Sequence, residues 1–287
     1  MELFRALAVL VEPPDRPEVA ALARLLDLGE PPHVADYTET FVFQLPPFAS
    51  VYIGAEGMLG GEARERVAGF LAALGQTPPH EPDHLTALLA TYAELSARAD
   101  DATDARRRAS LSTARKAFLW EHVLSWLHAY LDKLSEIAPP FYRRWAKLLL
   151  DALLEEAANV GRQDALPLHL REAPTLADPR AATADEFLQS LLAPARSGLV
   201  LTRSDLARAA RKLGAGLRAG ERKFALKSLL GQDAAGALAW LAEEASVWAE
   251  RHARHRDTLG EVARWWSARA AATEALLREL SAEAKTV

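Results

Sequence analysis

The feature that most constrains this chain is the spacing of its apolar residues, which recur every third or fourth position along most of its length. That period puts them on one face of an α-helix, whereas a half-buried strand needs sustained alternation, which is absent. Ala and Leu dominate the apolar set while Val and Ile are sparse, a bias that also favours helix. The pattern predicts an all-α fold, a single helical bundle of about ten to twelve helices.

Prolines punctuate the pattern. Helices are predicted at 2–11 and 17–28, separated by Pro13 and Pro14, and from Asp36 to Leu45, where Pro46 and Pro47 stop the run. A helix at 62–74 ends at Gly75, and the segment TPPHEP at 77–82 is a rigid break before a helix at 83–97. Residues 98–114 carry charge without an apolar stripe and read as a solvated helix or, preferred, as a polar hinge between an N-terminal lobe, 1–97, and a C-terminal lobe, 115–287. Leu119, Val123, Leu127, Tyr130 and Leu134 form the best stripe, stopped by Pro139 and Pro140. A helix at 141–158 follows, then a long surface connection over 159–182. Further helices are predicted near 184–193, 203–213, 219–230, 232–255 and 258–282, with Thr202 and Asp205 marking one start.

Composition removes several function classes. The 34 basic and 39 acidic side chains give a net charge of -5, too mild for bulk affinity to nucleic acid or membrane. Cysteine is absent, so there is no disulfide frame, thiolate zinc site or thiol nucleophile. The apolar stretch from Leu3 to Val11 is interrupted by Arg5 and lacks a preceding basic region, so no signal peptide is expected. No uninterrupted apolar run reaches spanning length, and a cytoplasmic protein is expected.

Three motifs need weighing. His80-Glu81-Pro82-Asp83-His84 matches the H-E-x-x-H string of zinc proteases, whose chemistry needs both histidines on one face of a continuous helix. Pro78, Pro79 and Pro82 deny that helix to residues before Pro82, so no metal is expected; Asp83 and His84 instead fall in the exposed first turn of the next helix. Gly214, Gly216 and Gly220 follow a helix at the wrong spacing for a dinucleotide fingerprint, no P-loop occurs, and no cofactor is expected. Residues 196–227 hold nine basic side chains (Arg196, Arg203, Arg208, Arg211, Lys212, Arg218, Arg222, Lys223 and Lys227) against Asp205 and Glu221. A helix-turn-helix regulator reading phosphates through 203–227 is one alternative function, and a metal-dependent hydrolase a more remote one. His252 and His255 extend the stripe of Leu241, Ala245 and Trp248 and read as the edge of a core helix.

The order of features carries a resemblance. LPPFASVYIGAEGMLGG, then Glu81-Pro82-Asp83-His84-Leu85 and TALLATYAEL, resembles the first signature of the TorD/DmsD family, which is NarJ-like. The stretch from Phe118, with Glu121-His122, Trp126, Tyr130 and Pro140-Phe141-Tyr142, resembles its second, and LLAPARSGLVLTRSDLARAARKLG is similar to longer members. The resemblance implies a non-enzymatic chaperone for a molybdopterin oxidoreductase, binding the catalytic subunit through its N-terminal, often twin-arginine, signal peptide. It implies neither nucleic-acid nor membrane partners, and a monomer or homodimer. The implied client-binding residues are Glu81, Pro82, Asp83 and His84, with Tyr37, Phe48, Tyr52, His122, Trp126, Phe141 and Tyr142. Carboxylates of Glu81 and Asp83 beside an aromatic groove suit two guanidiniums next to an apolar run.

Overall fold

A computed structural model describes residues 1–163, 165–217 and 220–286; Arg218, part of the basic cluster, lies outside them. The described residues are 71% helical, with no strand. They form two compact units, one of Met1–Ser50 with Leu59–Arg171, the other of Val51–Met58 with Glu172–Val287.

The first unit contains α1 (Glu2–Val9), α2 (Pro17–Leu25) and α3 (Val34–Tyr37), the last running into a π-helical segment at Thr38–Gln44. There follow α4 (Ala49–Ile53), which continues into the second unit, α5 (Gly61–Ala73), α6 (Leu85–Asp100) and α7 (Ala105–Phe118). A second π-helical segment, Leu119–Leu124, leads to α8 (Leu127–Ile137), α9 (Pro140–Val160) and α10 (Leu168–Glu172). At eight residues α1 is too short to persist alone and is held by packing. Phe4 meets Tyr92 edge-on at 5.5 Å, the Trp145 indole donates to the Leu7 carbonyl at 3.1 Å, and the Thr86 hydroxyl donates to Ala8 at 3.1 Å.

Three sequence expectations change. The proposed hinge at 98–114 is mostly helix: α6 runs to Asp100, and Asp104 caps α7 by accepting from the Arg107 amide at 2.7 Å. Its charges stay outside while Leu111 and Phe118 are buried, and charge on an outer face does not interrupt a helix. The two compact units divide at residues 171–172 and around 51–58. The stripe from Leu119 to Leu134 is not one helix either. It breaks at Trp126, where φ is -139°, and side chains take up the freed carbonyls: Ser125 donates to Glu121 at 2.8 Å and the Trp126 indole to His122 at 3.0 Å. Finally, the helices outnumber the expected ten to twelve because α3, α4 and α10, like two in the second unit, have only four or five residues, too few for a periodic signal. α10 falls within the connection expected at 159–182.

The second unit comprises α11 (Ala184–Leu192), α12 (Pro194–Ser197), α13 (Arg203–Leu213), α14 (Arg222–Gln232), α15 (Ala234–Ala253), α16 (Arg256–Leu259) and α17 (Glu261–Ala284). The Thr202–Asp205 start forms a reciprocal capping box as the sequence suggests. The long helices α15 and α17 pack along one another, with α12 against α17. Gly198 ends α12 at φ 77°, and a Cβ there would come within 2.5 Å of the Ala270 nitrogen, so only glycine permits that approach. His252 is wholly buried between Trp248 and Trp266, at 5.1 and 5.3 Å, with Nε2 2.9 Å from the Gly198 carbonyl oxygen. Burial pushes its pKa down to about 3, which fixes a neutral ring donating from Nε2.

Candidate functional site

The turn at 77–84 contains Pro78, Pro79 and Pro82 and stays non-helical, so α6 begins only at Leu85. His84 is its N-cap, with Nδ1 accepting from the Thr86 amide at 3.3 Å. The expected start at Pro82 is therefore corrected, because a backbone bridge holds His84 extended. The Leu85 amide donates to Pro47 at 2.8 Å and the Ala49 amide to Asp83 at 3.0 Å, pairing Phe48 with His84. Their rings meet edge-on at 4.8 Å. Asp83 is 1% exposed, not in an open first turn, and its Oδ2 accepts from the Ser50 amide at 3.1 Å. A carboxylate at the N-terminus of α4 satisfies an orphan donor and complements the helix dipole.

Beside this bridge opens a groove of about 700 Å³. Tyr37, Phe41, Val42, Pro46, Pro47, Phe48 and Leu59 wall it with apolar surface, and Ala87 and Ala90 of α6 leave room. Its polar lining is Glu12, His80, Glu81, His84 and Thr86, and among the described residues no lysine or arginine lines it. Val42 and Leu59 are more than half exposed and leave apolar surface open at the groove. Burial lowers the His84 pKa, opposed by the charges of Glu12, Glu81 and Asp83. Burial and then Glu12 raise that of Tyr37. The lining thus carries negative potential beside apolar surface, a combination that accepts a cation attached to an apolar chain.

The structure brings Tyr37, Phe48, Glu81 and His84 together at this groove, with Pro82 and Asp83 buried next to them in the chain. The other sequence candidates lie elsewhere. Tyr52 belongs to the second unit and is buried, which pushes its hydroxyl pKa up. His122, Trp126, Phe141 and Tyr142 are core residues of the first unit and line no part of the groove. Phe41 connects the two layers, meeting Tyr37 at 5.4 Å on one side and Tyr142 at 4.7 Å on the other. The Tyr130 hydroxyl donates to Leu45 at 3.3 Å, so the second signature braces the segment that walls the groove. His122 packs among Phe70, Phe118 and His169, and burial holds its pKa down to about 3. Glu12 is the residue that sequence reading missed. Its acid–proline–proline context marked only a helix break, and in the structure it pairs with Arg16, at 3.4 Å.

The competing motifs are placed as well. His80 and His84 share no helix, and no group of three or more potential metal ligands occurs among the described residues. Much of the basic cluster is spent locally. Arg208 pairs with Asp205 and Glu244, each at 2.8 Å, Lys223 pairs with Asp185 at 2.7 Å, Lys212 pairs with Glu243, and Arg222 donates to the Leu201 carbonyl. No helix among the described residues is long and apolar enough to cross a membrane.

An all-helical chain with an acid-lined apolar groove defines a class of helical groove proteins. Residues 12–132 match the family model described as nitrate reductase delta subunit. The chaperone protein TorD of Vibrio vulnificus, in strains YJ016 and CMCP6, is 29% identical over 143 residues, 46% of this chain and 66% of each relative. The chain thus spans just under two thirds of these relatives' length. Over these residues the chain is similar to the TorD/NarJ family. The matched region contains most of the groove lining, and of the second unit only residues 51–58 fall within it.

Proposed function

We propose that this protein is a cytoplasmic maturation chaperone that captures the N-terminal signal peptide of a molybdopterin-containing oxidoreductase in the groove of its first unit. Binding there holds the apoenzyme until its cofactor is inserted and delays export, and the protein acts by binding alone, without catalysis. The observation that carries this reading is the pairing of an apolar wall with the carboxylates of Glu12 and Glu81, with no lysine or arginine in the lining among the described residues. A twin-arginine signal offers the complement, two guanidiniums beside an apolar run, and charge-assisted bonds at a partly dry surface are the strong ones. The relatives' name, chaperone protein TorD, supports the same reading.

The test is capture from native lysate with tagged full-length protein, the partner identified by mass. The reading expects a molybdopterin oxidoreductase catalytic subunit that retains its signal peptide, and loss of capture when that peptide is deleted. Capture that is indifferent to the deletion contradicts it.

A further inference from the structure

A second pocket, of about 310 Å³, lies in the second unit, where Trp265, Ala268, Ala272 and Leu276 of α17 face the non-helical residues Thr175 and Leu176. Two guanidiniums line it, and backbone carbonyls hold both in place. Arg269 donates to Pro174 at 2.7 Å and Ala173 at 3.1 Å and lies 4.6 Å over the Trp265 ring, while Arg196 donates from Nε to Thr175 at 3.2 Å. Neither forms an ion pair with a carboxylate among the described residues, in contrast to Arg180, which meets Asp178, Glu279 and Glu283. The acid that senses Arg196, Glu186, spends an oxygen on Thr183.

Two features show that this arrangement is incomplete. The arginines repel each other: burial and then Arg196 hold the Arg269 pKa below its usual range. In addition, both guanidiniums are hydrogen-bonded to backbone carbonyls alone, which leaves their charge without a counter-ion among the described residues.

We propose that this pocket binds an oxyanion carried on an apolar body, a phosphate or carboxylate group seated between Arg196 and Arg269. Its carbon skeleton lies on Leu176, Trp265 and Leu276. The anion neutralises the repelling pair, and the guanidinium fork suits either oxyanion. The site is separate from the groove and does not depend on the proposed chaperone role.

Calorimetric titration of the full chain with inorganic phosphate and, separately, with hexanoate tests it, tryptophan fluorescence giving a second readout. One saturable site is expected, with a fluorescence change that Trp265→Phe abolishes. Arg196→Gln and Arg269→Lys each weaken binding roughly tenfold or more, with circular dichroism unchanged. Arg264→Gln, on the same helix but paired with Glu261 outside the pocket, binds as the unmodified protein. Saturation by phosphate alone assigns a phosphate ligand, and saturation by hexanoate alone a carboxylate on an apolar chain. Absence of saturable binding by both probes, or binding that survives both arginine substitutions, overturns the proposal.

Discussion

The turn at 80–84 and the segment 121–142 belong to the same unit and the same family resemblance, yet they use similar residues in opposite ways. In the turn, His80 and Glu81 are exposed and His84 half-buried, so polar atoms face a groove. In the segment, His122, Trp126, Tyr130, Phe141 and Tyr142 are all buried, and the polar ends of Trp126 and Tyr130 are tied to backbone carbonyls. A string of histidines and aromatics is therefore no guide to its own role. Exposure separates the surface that meets a ligand from the scaffold that shapes it, and Asp83, adjacent to the groove but buried, sides with the scaffold.

The largest expected effect lies in the scaffold. Trp126→Ala removes a fully buried indole and its bond to His122, and should cost about 3–5 kcal/mol in urea unfolding. A variant as stable as the parent but unable to bind peptide would move Trp126 to the ligand-facing set. Acid comes next. His122 is held neutral in the fold down to about 3, while the unfolded histidine takes up a proton near its ordinary value of about 6.5. The stability this contributes is present above that value and is lost as pH falls toward the folded one. His122→Phe should flatten the fall of melting temperature between pH 6.5 and 4.5; His84→Gln should flatten it less, since His84 is only part-buried. Equal slopes for the parent and His122→Phe contradict the scaffold role. Smaller again, Asp83→Asn keeps an acceptor for Ser50 but loses the charge at the start of α4, and should cost about 1 kcal/mol with peptide affinity unchanged. Smallest is Glu81→Gln, exposed and expected to shift stability by less than about 0.5 kcal/mol.

Much of this was readable in advance, for physical reasons. Helical period and proline stops gave the all-α class and most helix ends, and the Thr202–Asp205 box was local enough to recognise. The α7 helix could not be separated from a hinge because its stripe contributes only Leu111 and Phe118 to the core. The break at Trp126 depends on side chains reaching carbonyls one turn back, which periodicity does not record. Tyr37, Phe48, Glu81 and His84 were named together through family resemblance. Glu12 was not, because only tertiary packing brings it into the lining with His84.

The most direct measurement is a double-mutant cycle between the groove and the peptide's charges. Glu12→Gln and Glu81→Gln, singly and together, are titrated against the client's signal peptide and a version with its paired arginines changed to glutamine. Each carboxylate lost should weaken the arginine peptide roughly tenfold or more and leave the glutamine peptide nearly unaffected. The coupling should be about 1 kcal/mol or larger, the range found for groups in contact. If both variants bind both peptides as the unmodified protein does, the groove does not read the arginines and the proposed capture fails.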